Sequence, residues 1–213
     1  MNQYPKIPAA KEHHGEQMIA FRKLDGSNLR FEWHKSHSHR SHFGWIKYGT
    51  RRRLFNKSDP DFGCAIELFL NTHAESLAKI FTDNKDYRKR DKYTAFCEFL
   101  GPNSFAGLHK PEDPKELFLF DIWQDKFGII GPRQFLQDFG HLKIAPKVYE
   151  GKLTGQFAED VRNGKFPVDE GVVCKGGAGG GWNVGIWMVK IKTYAYLEKL
   201  KKVFANNWQD FWE

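Results

Sequence analysis

The chain has 213 residues, 40% hydrophobic and 28% charged, with 19 Phe, 7 Trp and 7 Tyr. That is ample material for one sizeable core and too little length for two full domains. A net charge of +7 suits a polyanionic partner, because clustered Lys and Arg bind phosphates by releasing counterions. Cys64, Cys97 and Cys174 are widely spaced with no Cys-x-x-Cys pair, which excludes a ready disulfide framework. With no signal-like stretch and no apolar run near the ~20 residues that span a bilayer, a soluble cytoplasmic protein without membrane contact is expected.

Residues 1–17 are polar, carry Pro5, Pro8 and His13-His14, and read as an extended lead-in with little core. A strand begins at Met18 to Phe21 and runs into Lys23-Leu-Asp-Gly-Ser-Asn28. Asp-Gly favours a tight hairpin bend, since glycine reaches φ > 0 without a Cβ clash. Lys23 is therefore expected at a strand end, open to a pocket. Leu29, Phe31 and Trp33 then alternate with Arg30, Glu32 and His34, the period of a half-buried strand. The stretch holding His34, His37, His39 and His42 has no Cys or acidic ligand within it, so a solvated hairpin loop able to touch nucleic acid is preferred over a zinc site. Phe43 to Tyr48 reads as the returning strand. It is followed by Arg51-Arg52-Arg53, which must split between the two sides of an extended chain.

Ile66, Phe69, Leu70, Leu77, Ile80 and Phe81 recur at helical spacing, predicting an amphipathic helix. Thr82 to Asp91 reads as a solvated loop, with Lys85, Arg88, Lys89, Arg90 and Lys92 in and just beyond it. In the strand Tyr93 to Leu100, Glu98 shares a face with Phe96 and Leu100, as an edge-of-core acid or a pocket ligand. A turn follows at Gly101 to Ser104. Leu117 to Trp123 is a second strand, with Phe118, Phe120 and Ile122 expected on one face. Pro132 and Gly140 bracket a helix, and another is expected from about Gly155 to Asn163. Asp169-Glu170-Gly171 forms an acidic corner before a strand ending at Lys175. Gly176 to Gly181 holds five glycines in six positions but lacks the ending of a P-loop, and reads as a flexible connection. Beyond it Trp187, Val189 and Ile191 take one face of a strand and Met188, Lys190 and Lys192 the other. An amphipathic helix over about 194–211 completes a single expected domain, 1–213.

The segments Lys23 to Asn28, Thr50-Arg51, Phe96-Cys-Glu98-Phe-Leu-Gly101, Leu117-Phe-Leu-Phe120-Asp-Ile, Glu170-Gly-Val-Val-Cys-Lys175 and Val189-Lys190-Ile-Lys192 stand in a fixed order. They resemble motifs I, Ia, III, IIIa, IV and V of the covalent nucleotidyltransferase superfamily, which comprises ATP-dependent RNA and DNA ligases and mRNA capping enzymes. Asn28 makes the first motif most similar to RNA ligases, because the other branches usually carry arginine there. The resemblance implies an α+β fold, with two antiparallel β-sheets and flanking helices enclosing a nucleotide pocket.

It also implies roles. Lys23 would attack the α-phosphorus of ATP, which requires a neutral amine. Lys190, Lys192 and a divalent metal are expected to lower its pKa. Lys190 and Lys192 would neutralise charge building on the α-phosphate. Glu170 would hold Mg²⁺ or Mn²⁺. Glu98 would bind the ribose, Phe120 would stack on the purine, and Asn28 would orient the phosphates. Arg51, or Arg53 if the alignment slips by two, would contact the ribose or an acceptor phosphate. The implied substrate is RNA, or DNA or a mixed duplex, with 5′-phosphate and 3′-hydroxyl ends. A minimal DNA ligase and a non-catalytic nucleic-acid-binding protein are the alternatives, with a GTP-using capping enzyme behind them. Two features depart from the pattern: Arg22 stands where many RNA ligases carry glutamate, and little chain follows Lys192. The reading is of a nearly bare, monomeric catalytic core, with a separate partner possible in place of a further domain.

Overall fold

The computed structural model describes residues 1–10, 13–39, 41–101, 112–178 and 185–209. Two antiparallel sheets organise them. The smaller has the order β10-β9-β1-β8, formed by β1 (Gln17–Lys23), β8 (Lys147–Lys152), β9 (Gly171–Gly176) and β10 (Trp187–Lys192). The larger has the order β4-β3-β2-β5-β6-β7. Its strands are β2 (Ser27–His34), β3 (Trp45–Thr50), β4 (Leu54–Phe55), β5 (Lys92–Leu100), β6 (Glu116–Gln124) and β7 (Gly128–Ile129). No described helix is long and apolar enough to cross a membrane.

The Asp25-Gly26 bend is not a hairpin. β1 and β2 belong to different sheets, so residues 24–26 carry the chain from one sheet to the other. Nor does Gly26 use a positive φ. Glycine is needed here for close approach, because a Cβ would meet the Phe99 carbonyl oxygen of β5.

Leu29, Phe31 and Trp33 are fully buried on one face of β2, as their alternation predicts. They pack on a helical layer. The Phe31 ring stacks on Phe69 at 3.9 Å between centroids, and Trp33 meets Phe81 at 5.4 Å. The expected single helix is divided into α1 (Gly63–Phe69), a π turn over Leu70–Ala74, and α2 (Glu75–Asp83). Within the π turn His73 faces inward, its Nε2 lying 3.0 Å from the Lys143 carbonyl oxygen. The segment after α2 is also less solvated than expected, since Tyr87 is buried and its hydroxyl donates to Asp138.

A bulge corrects the facing of β6. Phe96 pairs with Asp121 but Cys97 pairs with Leu119, so Phe120 is the extra residue. Ile122 consequently joins Leu117 and Leu119 in the main core, while Phe120 and Asp121 fall on the cleft side. On the return from the histidine-rich turn, β3 starts at Trp45 rather than Phe43, because His42 and Phe43 take φ of 62° and 54°.

Helices α3 (Pro132–Phe139) and α4 (Gly155–Arg162) lie where proline and glycine bracket them, and Thr154 caps α4 by accepting from the Phe157 N–H. Helix α5 (Tyr194–Phe204) is shorter than expected and gives way to a 3₁₀ turn at Ala205–Asn207, where Ala205 takes a φ of 44°. The Gly101–Ser104 turn beyond Gly101, the glycine-rich connection from residue 179 on, and the chain past Gln209 lie outside the described residues.

The lead-in departs most from expectation. Tyr4 is 5% exposed and clusters with Phe96 and Ile129. Ala9 forms a parallel bridge with Lys190, whose N–H donates to the Pro8 carbonyl at 3.0 Å. The lead-in thus touches the edge of the smaller sheet at Ala9 and lines the cleft with Tyr4, Lys6 and Ile7.

Candidate active site

Three strands meet in register at one point. Across β1, β9 and β10, Lys23 pairs with Gly171 and Gly171 with Lys192. Gly171 has a φ of +150°, and a Cβ on it would collide with the Ile191 carbonyl oxygen. Glu170 precedes it and turns its carboxylate between the two lysines: Lys23 Nζ lies 2.8 Å from Oε2, and Lys192 Nζ lies 3.3 Å from Oε1. Glu170 is nearly inaccessible to water, so this bridged arrangement sits at the floor of the site. Arg22, the residue that departs from the family pattern, is paired with Asp169 beside this corner.

The protonation of Lys23 differs from expectation. Burial would lower its pKa, but the carboxylates of Glu170, Glu98 and Asp25 outweigh burial and raise it. Lys192 moves the other way, lowered by burial and by Lys23 and Lys190 despite the pull of Glu170. The free site therefore holds Lys23 as an ammonium.

A cleft of about 760 Å³ opens above this floor, lined from both sheets. It brings together Lys23, Asn28, Arg51, Glu98, Phe120, Glu170, Lys190 and Lys192. Asn28 and Glu98 are cross-strand partners on β2 and β5. The Glu98 carboxylate accepts from the Gly26 N–H at 3.1 Å, and burial pushes its pKa up to about 7. The Asn28 Oδ1 is buried with no hydrogen-bond partner among the described residues. Such an orphan inside a cleft is satisfied by a ligand or its water. Arg51 and Arg53 both line the cleft, but Arg53 is bonded to Asp59 and lies 3.7 Å from Asp61.

Sequence reasoning missed a second buried group. Lys175 Nζ lies 2.8 Å from Asp121 Oδ2 and donates to the Phe120 carbonyl at 2.7 Å. The Tyr4 hydroxyl donates to the same Asp121 oxygen. The Tyr4 ring meets Phe120 at 5.0 Å and 88°, and Phe96 at 5.0 Å and 64°. Burial raises the pKa of Asp121 and lowers that of Lys175, and their ion pair opposes both changes. Asp121 and Lys175 had a sequence signal as charged residues in apolar strands. Tyr4 had only Ile7 beside it in a proline-flanked segment.

Among the described residues no three His, Cys, Asp or Glu side chains form a group that could hold a metal ion. In the histidine-rich turn His34 Nε2 lies 3.0 Å from Glu32 Oε1. A single hard carboxylate such as Glu170 nevertheless fits Mg²⁺ or Mn²⁺, which bind through one or two carboxylates together with substrate phosphates and water.

The chain belongs to the RNA ligase family, whose profile matches residues 16–191. No curated protein sequence matches it. Among solved structures it is similar to Naegleria gruberi RNA ligase. An apo mutant of that enzyme aligns with a TM-score of 0.63 and 16% identity over 95% of this chain and 58% of that one. The form with PPi gives 0.60 and 19% over 95% and 58%. A mutant with ATP and Mn gives 0.59 and 17% over 93% and 58%. The chain thus spans 58% of the length of these relatives, and at such identity the likeness shows the shared fold.

Proposed function

We propose that the chain is an ATP-dependent RNA ligase working through a covalent lysyl-AMP on Lys23. The observation that carries this reading is the Lys23–Glu170–Lys192 bridge at the floor of a two-sheet cleft. Lys23 Nζ, once it has lost its proton, attacks the α-phosphorus. A nitrogen–phosphorus bond forms, the bond to the bridging oxygen breaks, and pyrophosphate leaves with the electron pair. Lys190 and Lys192, on one face of β10, balance the negative charge that builds on the α-phosphate. Phe120 offers its ring to the purine, and Glu98 accepts from a ribose hydroxyl. Asn28 supplies the polar atom that bound nucleotide would satisfy. Arg51 takes the contact to ribose or acceptor phosphate, because Arg53 is engaged by Asp59. Glu170 would hold Mg²⁺ or Mn²⁺, which when bound supplies positive charge to the phosphates.

A 5′-phosphate oxygen then attacks the lysyl-AMP phosphorus, and the nitrogen–phosphorus bond breaks to return the amine. A 3′-hydroxyl attacks the activated 5′-phosphate, forming the phosphodiester and releasing AMP. The test is joining of 5′-phosphorylated, 3′-hydroxyl RNA, free and in nicked duplex, against matched DNA, with ATP or GTP. ATP-dependent joining of RNA supports the reading. Joining of DNA alone would make the chain a DNA ligase, and binding without joining would make it a non-catalytic binder.

A further inference from the structure

The larger sheet has a second end, remote from the cleft. β2 runs from Asn28 in the cleft to His34, a span of about 20 Å at the usual strand rise. There the histidine-rich turn meets the basic segment after α2, which no step of the ligase chemistry uses. Lys35 joins them, its N–H donating to the Asp91 carbonyl at 2.9 Å and its Nζ to the Arg88 carbonyl at 2.7 Å. The β6–β7 turn is tied in by the Lys92–Asp125 ion pair at 3.0 Å, and the Arg90 guanidinium lies 3.5 Å over the Phe127 ring. Lys85, Arg88, Lys89 and Lys126 are exposed on this end, where cations outnumber the exposed Asp83, Asp86 and Asp91.

The turn also holds an aromatic side chain out to water. Phe43 is 41% exposed, yet it and His42 keep positive φ, a conformation that costs a non-glycine residue on the order of 1 kcal/mol or more. The Trp33 indole N–H fixes the arrangement by donating to the Phe43 carbonyl at 2.7 Å. The strained turn thus gives the buried Trp33 N–H its acceptor, and it leaves the Phe43 ring out to water. An exposed ring on the turn that meets this basic segment matches the stacking platforms and phosphate contacts of single-strand binding surfaces.

We infer that this end of the larger sheet docks single-stranded RNA, with Phe43 stacking on a base and Lys85, Arg88 and Lys89 contacting the backbone. The inference rests on the RNA ligase reading, because it gives a place to strand remote from the reacting ends. The test is fluorescence anisotropy of a labelled 5′-phosphorylated 24-mer RNA across a salt series. It compares wild type, Lys85→Glu/Arg88→Glu/Lys89→Glu, Phe43→Ala and Phe43→Trp, with self-adenylylation by ATP measured on each. The triple variant is expected to lose at least tenfold in affinity and to flatten the salt slope by about 2, at about 0.7 per lost single-strand phosphate contact. Phe43→Ala should lose about fivefold or more and Phe43→Trp should not. Adenylylation should be unchanged throughout. If charge reversal disturbs folding, the triple glutamine variant replaces it, with the same direction expected. Unchanged affinity and slope with adenylylation intact would overturn the inference. So would loss of heparin and RNA binding alike with no effect of Phe43→Ala, which would mark a general polyanion surface. Absence of adenylylation in the wild type would instead overturn the reading of the cleft.

Discussion

Burial alone would lower the pKa of Lys23, and the surrounding carboxylates, Glu170 foremost, outweigh it and raise the pKa. Below its pKa, the neutral fraction of an amine rises tenfold per pH unit. The rate of self-adenylylation should therefore climb with pH. Glu170→Gln removes the carboxylate at 2.8 Å and should move the rising limb to lower pH. The pH dependence of Lys23 acetylation, followed by mass spectrometry, reads the same shift without turnover. A limb that stays in place would show that Glu170 does not hold the proton. Glu98 titrates with the opposite consequence for stability. Its folded pKa of about 7 lies above the ordinary 4.5, so the stability it contributes is full below 4.5 and is lost as pH rises through about 7. Glu98→Gln removes that loss. The variant's unfolding temperature should gain on wild type between pH 5 and 8 by several degrees, corresponding to roughly 1–3 kcal/mol. A constant difference across that range would contradict the burial account. The cleft positions of Lys23, Asn28, Arg51, Glu98, Phe120, Glu170, Lys190 and Lys192 were legible in the sequence through their motifs, and that of Tyr4 was not. The charge on Lys23 was not, because it depends on carboxylates that only the fold brings beside it.

Elements were legible where a simple period survives. β10 keeps strict alternation, so Lys190 and Lys192 fall together as read, while Val189 and Ile191 go to the core. β6 does not, since one bulged residue shifts the phase and sends Ile122 to the opposite face. The π turn likewise interrupts a helix whose apolar spacing reads as continuous. The lead-in is not legible in the sequence because a segment with one aromatic and two prolines has no period at all, and Tyr4 finds its place only through Phe96, Phe120 and Asp121. Gly171 is the position where an element and the site depend on each other. Gly171→Ala sets a Cβ against the Ile191 carbonyl where β1, β9 and β10 align. A loss of about 3 kcal/mol or more is expected, read as a lowered denaturant midpoint, together with loss of adenylylation. Wild-type stability in that variant would contradict the packing described.

On the scale of the molecule, the cleft exists because the chain changes sheets within residues 24–26. Lys23 ends a strand of one sheet and Asn28 lies in the first strand of the other, so the Lys23 amine and the cleft wall that carries Asn28 are set by one short connection. The α+β class with two antiparallel sheets was implied by the motifs, and the structure has it. Strand order was not legible, since β1 pairs with β8 and β9, more than a hundred residues away, and local sequence favours the nearer partner β2. The most direct test of the account is incubation of the full chain with α-labelled ATP and Mg²⁺ or Mn²⁺, followed by denaturing electrophoresis, beside Lys23→Ala. Label that stays on the wild-type protein and is absent from the folded variant is the predicted result. Label that persists in Lys23→Ala, or never attaches to folded wild type, would contradict the assignment of Lys23 as the nucleophile.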